Sequence, residues 1–283
     1  MKPSPRIVMV LAIAAVVFSA SGCNKLRARD QLNKGVQAYK AGRQEEAVGH
    51  FKEAVAFDPT LVNARLYLAT AYATLFVPGI DSEENNRNAD SAIEEFKHVL
   101  ELDPKNINSL KGIASIYFNQ GNPQSAKSPE AALQKLDQAK EFHRKALLLD
   151  PNDAEEYYSV GVIDWTQAYM QAASLKAKKG LKVDEEIKDP AVCKEVRAKN
   201  EAVVQDGIES LQKALNKRPD YDDAMAYINL MFRRKADLEC GDSAARQADI
   251  KTADDWVTKT MDTKKIKAEK LANQPAGVVT EPQ

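Results

Sequence analysis

Four times along this chain of 283 residues the same spacing recurs. A small residue is followed four places on by a large one, three further on by Ala or Val, and five beyond that by Pro. The copies are Ala47-Phe51-Ala54-Pro59, Ala92-Phe96-Val99-Pro104, Ala139-His143-Ala146-Pro151 and Gly207-Leu211-Ala214-Pro219. The first three positions of each copy fall on one face of a helix. The Pro ends that helix, because it disfavours helical geometry in the residue before it. A unit repeated in this way cannot bury its apolar face alone, so the fold is expected to be an array of stacked helical units. Such arrays more often bind than catalyse.

The first unit, Ala28 to Asp58, is read as two helices separated by Ala41-Gly42-Arg43. It resembles the tetratricopeptide repeat (TPR). With Ala28 as first position, Gly35 stands eighth, Gly42 fifteenth, Ala47 twentieth, Phe51 twenty-fourth, Ala54 twenty-seventh and Pro59 thirty-second. Small residues are wanted where the two helices cross, and Phe51 is wanted between neighbouring hairpins. Leu68-Ala69 with Tyr72, and Ile113-Ala114 with Tyr117 and Gly121, continue the pattern in the next first helices. Val160-Gly161 continues it again, with Asp164 where an aromatic is usual. The resemblance implies an all-α, right-handed superhelical solenoid of antiparallel helix hairpins, with four to five repeats. The expected repeats are 28–61, 62–106, 107–153 and 154–221, followed by a capping hairpin at 222–271.

The spacing departs from the family. Pro59, Pro104, Pro151 and Pro219 stand 45, 47 and 68 residues apart, against a period of about 34. The first surplus, Val77 to Arg87, reads as a polar loop around Pro78-Gly79. The second, Asn122 to Gln138, opens a helix at Ser128-Pro129-Glu130. The third is a full period. It fits either a degenerate extra repeat or, preferred because Asp153 to Lys179 holds no breaker, one hairpin with both arms lengthened. A fifth first helix is expected from Asp222 to about Leu238, with Ile228 and Phe232 inward. A last helix is expected from Ser243 to about Leu271, with Ile250, Trp256 or Val257, Met261 and Ile266 as its apolar face. Residues 272–283 read as a disordered tail.

The N-terminus is of another kind. Lys2 and Arg6 precede a mostly apolar run, Ile7 to Ala20, which is short for a membrane span but suits a signal-peptide core. Ala20-Ser21-Gly22-Cys23 then resembles the lipobox of bacterial lipoproteins, with Ala20 where Leu is commoner. The resemblance implies removal of 1–22 and lipidation of Cys23. Asn24, in the place where Asp favours inner-membrane retention, implies anchoring to the outer membrane facing the periplasm. The alternative is an ordinary secretory signal. Of the 40 basic and 41 acidic residues, the segment 1–22 takes Lys2 and Arg6, leaving a charge of −3. No basic excess points to nucleic acid.

In an exported compartment Cys193 and Cys240 can form a disulfide. Counted from the turn at Pro219-Asp220, they stand 26 and 20 residues away, a mismatch of about 9 Å along a helix that a few extended residues near Glu239 would close, and the pairing would pin the long hairpin to the cap. His143 holds a large-residue place and is read as packing. Asp81, Glu83 and Asn85 alternate like the start of a calcium loop, but Asn86 and Ala92 lack the Gly and Glu such a loop needs. No phosphate loop, zinc helix or nucleophile elbow occurs. Neither a metal nor a cofactor is expected, and the chain is not expected to be an enzyme. Transferring the concave-groove positions of the TPR family implies a partner-binding set: Tyr39, Lys40, Asn63, Thr70, Lys111, Phe118, Asn119, Tyr158, Trp165, Arg233 and Arg234. Leu32 and Val36 stand where chaperone-type TPRs clamp a peptide carboxylate, so carboxylate capture is not expected. The expected role is a membrane-anchored scaffold for protein partners in envelope assembly or export. The alternative is a periplasmic binding component for a small solute or glycan, stacked on Trp165 and Phe118.

Overall fold

The computed structural model describes residues 5–123, 126, 128–183 and 185–273, with side chains from Gly22 onward. Among these residues the chain is helical, with no strand: α1 (Pro5–Lys40), α2 (Gln44–Phe57), α3 (Val62–Leu75), α4 (Glu83–Leu102), α5 (Ile107–Gln120), α6 (Pro129–Leu149), α7 (Ala154–Lys178), α8 (Pro190–Lys217), α9 (Asp222–Ala236) and α10 (Ser243–Ala272). It divides into two compact units, Met1–Ser125 and Ala126–Gln283. The expected tail lies, beyond residue 273, outside the described residues.

In the first unit α1 pairs with α2, and α3 with α4. The turn between α1 and α2 rests on Gly42, whose φ of +74° costs a Gly nothing. Fully buried Phe51 lies across Gly35, where a Cβ would sit 2.4 Å from its ring. Gly35 is therefore the space that Phe51 fills, as the repeat pattern implies. Phe51 also stacks on Tyr67 of the next hairpin, with ring centroids 5.6 Å apart. Phe96 repeats the contact against Gly112 of α5, at 2.5 Å. Ala38, Ala47, Val48, Leu68 and Ala71 complete an all-apolar core around Phe51.

Two expectations for this unit need correction. The first helix of the unit, read from Ala28, is continuous with the apolar leader, because nothing from Ala20 to Cys23 interrupts it. The surplus from Val77 to Arg87 is only partly loop, since α4 begins at Glu83. Ser82 caps α4 by accepting from the Asn85 N–H. Asn85 is buried and knits the loop: its Oδ1 accepts from Val77 N at 2.7 Å, and its Nδ2 donates to the carbonyls of Val77 and Ile80 at 2.9 and 2.7 Å. The side chain that resembled a calcium ligand thus satisfies backbone groups that would otherwise be stranded.

In the second unit α6 starts as read, with Ser128 accepting from Ala131 N and Pro129 in the first turn. The third surplus goes into α7 and α8, which run 25 and 28 residues as one long hairpin. The loop between them is held by Lys176, a side chain with no exposed area. Its ammonium donates to the carbonyls of Val183 and Glu185, each at 2.9 Å, and pairs with Asp237 at 3.2 Å. Burial holds the Lys176 pKa below its usual range, against the pull of Asp237. Beside it Cys193 of α8 is disulfide-bonded to Cys240 in the α9–α10 loop. The two sulfurs thus join the long hairpin to the cap.

The apolar face expected for α10 is displaced. Met261 and Ile266 are exposed, whereas Asp249, Ala253 and Thr260 are buried and Trp256 packs on the core. Small and polar side chains suit this contact because α9 ends in three cations. One of them, Lys235, pairs with Asp249 at 2.6 Å.

Candidate partner-binding face

The expected groove positions are divided between the two units. In the first, Tyr39 and Thr74 join α1 to α3 through their hydroxyls at 2.8 Å. Lys40 and Asn63 are exposed, and Lys111, Phe118 and Asn119 are half-buried. Thr70 spends its hydroxyl on the Leu66 carbonyl of its own helix, at 2.8 Å. These residues give α1, α3 and α5 a face of mixed polarity.

The second unit is more definite. Tyr158 and Trp165 stand two helical turns apart on α7, and both contact the ring of Tyr227 on α9 edge to face, at 5.6 and 5.5 Å. Trp165 stacks on Tyr169, one turn further, at 5.4 Å, and Tyr158 meets Tyr221 at 4.9 Å. Aromatic pairs in such geometries contribute about 0.5–1.5 kcal/mol beyond area burial. Burial holds the Tyr158 hydroxyl well above the usual phenol range, reinforced by Tyr227, Asp223 and Glu155. Tyr227 is raised in the same way, by burial and by Asp223. Tyr221 is raised by burial and by donating its proton to a Glu155 carboxylate that Arg218 also pairs with, at 2.7 Å. Sequence reasoning found Tyr158 and Trp165 and missed Tyr169, Tyr221 and Tyr227. The spacing of Tyr158, Trp165 and Tyr169 along one helical face was the available signal; Tyr227 lies on another helix.

Arg233 and Arg234 both have carboxylate partners. Arg233 reaches Asp254 of α10 at 2.7 Å, in a pair that stays largely exposed, and Arg234 reaches Asp237 at 3.0 Å in a more deeply buried pair beside Lys176.

Behind the aromatic face, α6 and α7 meet through a polar seam. Buried His143 bonds buried Glu156 at 2.8 Å, and Lys140 reaches Asp164 at 2.7 Å and Gln167 at 3.2 Å. Packing was therefore only half of the role of His143. Asp164 is fully buried, and burial pushes its carboxyl up to about 7 in spite of Lys140. Between α8 and the α9–α10 loop lies a cleft of about 320 Å³, walled by Glu186, Ile187, Cys193, Asp237, Glu239 and Arg246 among others. Among the described residues no group of three or more His, Cys, Asp or Glu is placed to hold a metal ion.

No protein-family model matches the chain. It is 27% identical over 188 residues to the human protein O-mannosyl-transferase TMTC1, a match covering 58% of this chain and 20% of that protein. The chain thus spans about a fifth of that relative's length. Among solved structures it is similar to MamA, with a TM-score of 0.56 at 16% identity over 90% of this chain and 98% of that one. A form of MamA from Desulfovibrio magneticus RS-1 gives 0.55 at 18% identity over 84% and 96%. At such identities the likeness speaks for the fold alone, and that fold is a TPR-type array of helical hairpins.

Proposed function

We propose that this chain is a lipid-anchored scaffold that holds segments of envelope proteins against the first-helix faces of its hairpins. The observation that carries the reading is the half-exposed aromatic face of α7 and α9. Tyr158, Trp165 and Tyr227 are partly buried, with Tyr158 and Trp165 edge to face on Tyr227 and all three packed against the core of the unit. Aromatic anchors of this kind bury large area at low entropic cost, which suits protein contacts. Cys23 supports the anchoring part: it is exposed on α1, only a short stretch before buried Ala28, where the first hairpin begins to pack. Lipidation there, after removal of 1–22, would set the array close to the outer membrane on its periplasmic side. The resemblance of Ala20 to Cys23 to a lipobox, and Asn24, support that location. Two acyl signals give firm anchoring, whereas one chain alone gives only marginal binding.

Two measurements test the proposal. Growth with an alkyne-tagged palmitate should label the chain and not its Cys23→Ser variant. Crosslinking with mass spectrometry in native membranes should join residues of α7 and α9 to other envelope proteins. An unlabelled chain would remove the anchor from the proposal, and crosslinks that avoid every first helix would remove the scaffold.

A further inference from the structure

The helix segments that carry the aromatic face of the second unit are acidic, while Arg218 lies over the Tyr221 ring at 4.2 Å and Lys264 and Lys267 of α10 reach Asp222. From Ala154 to Leu175 on α7, and from Asp222 to Phe232 on α9, the sequence contains Glu155, Glu156, Asp164, Asp222 and Asp223 and no Lys or Arg. Glu156 is taken by His143, Asp164 by Lys140, Asp222 by Lys267 and Glu155 by Arg218. Asp223 is exposed and joined to no cation among the described residues. It lies in the first turn of α9, where an acid also favours the helix dipole. Its charge nevertheless bears on both Tyr158 and Tyr227. The hydroxyls of Tyr158, Tyr169 and Tyr227 and the indole N–H of Trp165 have no hydrogen-bond partner among the described residues, and none of them is a buried orphan. They end at the surface. The cations at the far end of α9, Arg233, Arg234 and Lys235, are all neutralised by carboxylates of the fold.

From this we infer that the α7–α9 face binds a cationic partner segment, seating an Arg or Lys side chain against the rings of Tyr158, Trp165 and Tyr227 with Asp223 as its counter-charge. The inference rests on the reading of the array as a protein-binding scaffold and specifies the chemistry of what that site takes. Ring faces carry negative quadrupole potential, and a cation over them gains about 0.5–2 kcal/mol, more as water is excluded. Guanidinium gains most, being planar and weakly hydrated. An acidic segment would meet Asp223 and the ring faces with like sign, and the exposed cation of α7, Lys178, stands at the far end of that helix, 13 residues beyond Trp165.

The test uses the full chain in detergent with Trp256→Phe, so that tryptophan emission reports Trp165. Four blocked decapeptides of Gly and Ser are titrated, carrying two Arg, two Lys, two citrulline or two Glu. The Arg peptide is expected to bind tightest, the citrulline peptide about tenfold more weakly, and the Glu peptide not measurably. Asp223→Asn should weaken Arg binding several-fold, and Tyr227→Leu about tenfold. Should Tyr227→Leu lower the unfolding midpoint, Tyr169→Ala, at an exposed ring, provides the second variant. Equal binding of Arg and citrulline peptides, or an Asp223→Asn variant that binds unchanged, would overturn the inference. So would a chito-oligosaccharide that shifts Trp165 emission when the Arg peptide does not. If the peptides fail while native-membrane crosslinks still join α7 or α9 to a protein, the cationic chemistry falls and the scaffold stands. If those crosslinks are absent too, both fall.

Discussion

The two units solve the same packing problem with different chemistry. In the first, Phe51 and Phe96 fill the spaces left by Gly35 and Gly112, and the cluster around Phe51 is apolar. The second keeps the geometry, with Leu211 in the Phe place across Gly161, where a Cβ would lie 2.5 Å from it. It adds a polar seam at Lys140, His143, Glu156 and Asp164, a buried Lys176 and a disulfide. Longer helices explain the last two. Arms of 25 and 28 residues overshoot the repeat, and their ends are tied to the α9–α10 loop by the Lys176–Asp237 pair and the disulfide. Hydrophobic packing tolerates repacking, whereas a buried charge loses heavily when its partner goes. The second unit should therefore be the more brittle.

The largest effect should come from Lys176→Met. It strips the partner from the carbonyls of Val183 and Glu185 and from one side of Asp237. Breaking a buried pair in this way costs about 3–5 kcal/mol. Hydrogen exchange should show lost protection in α7, α8 and α9 and none in α1 to α3. The matching break in the first unit is Phe51→Ala, which is expected to cost about 3–5 kcal/mol and to open α1 to α3 instead. If either variant loosened both units equally, the division between them would be wrong in energetic terms. Reduction of Cys193–Cys240 should cost about 2–4 kcal/mol, read as a lower unfolding midpoint with dithiothreitol that the Cys193→Ser, Cys240→Ser double variant no longer shows. Gly161→Ala drives a methyl into Leu211 and should cost about 1–3 kcal/mol.

The most diagnostic effect is that of pH. A free Asp titrates near 3.8, and the buried Asp164 carboxyl is pushed up to about 7. Between these values the folded chain holds a proton that the unfolded chain has released. Its contribution to stability is then complete below the lower value and is lost as pH rises through the upper one, by no more than about 1.4 kcal/mol per pH unit. Asp164→Asn should flatten that slope in urea unfolding monitored through the second unit. A slope unchanged by the substitution would mean that Lys140 fully offsets the burial of the carboxylate.

Much of the fold was legible in the residues, because it is written in short-range spacing. The Ala-Phe-Ala-Pro interval marks a helix face and its end, and Gly42, Ser128 and Pro129 act within a turn of where they stand. The candidate site was less legible. Tyr158 and Trp165 could be placed by repeat position, but the pairing of Arg233 could not, since its carboxylate, Asp254, comes from another helix. The apolar face of α10 was misplaced for a related reason. Thr260 and Asp249 are buried because of what α9 offers them, and Met261 stays exposed because α9 offers it nothing.

The sequence by itself determined that this chain builds helical hairpins, where most of them turn, and which small and large residues meet at each crossing. These are local matters of periodicity, chain stiffness and volume. Tertiary structure alone decided that Tyr227 completes the aromatic face, that His143 meets Glu156 and Lys140 meets Asp164, and that Lys176 closes a loop. All but the last are contacts between helices, and the last joins α7 to the loop that follows it. Whether a charge is buried, paired or free depends on the neighbour that packing brings to it, and no spacing along one helix records that neighbour.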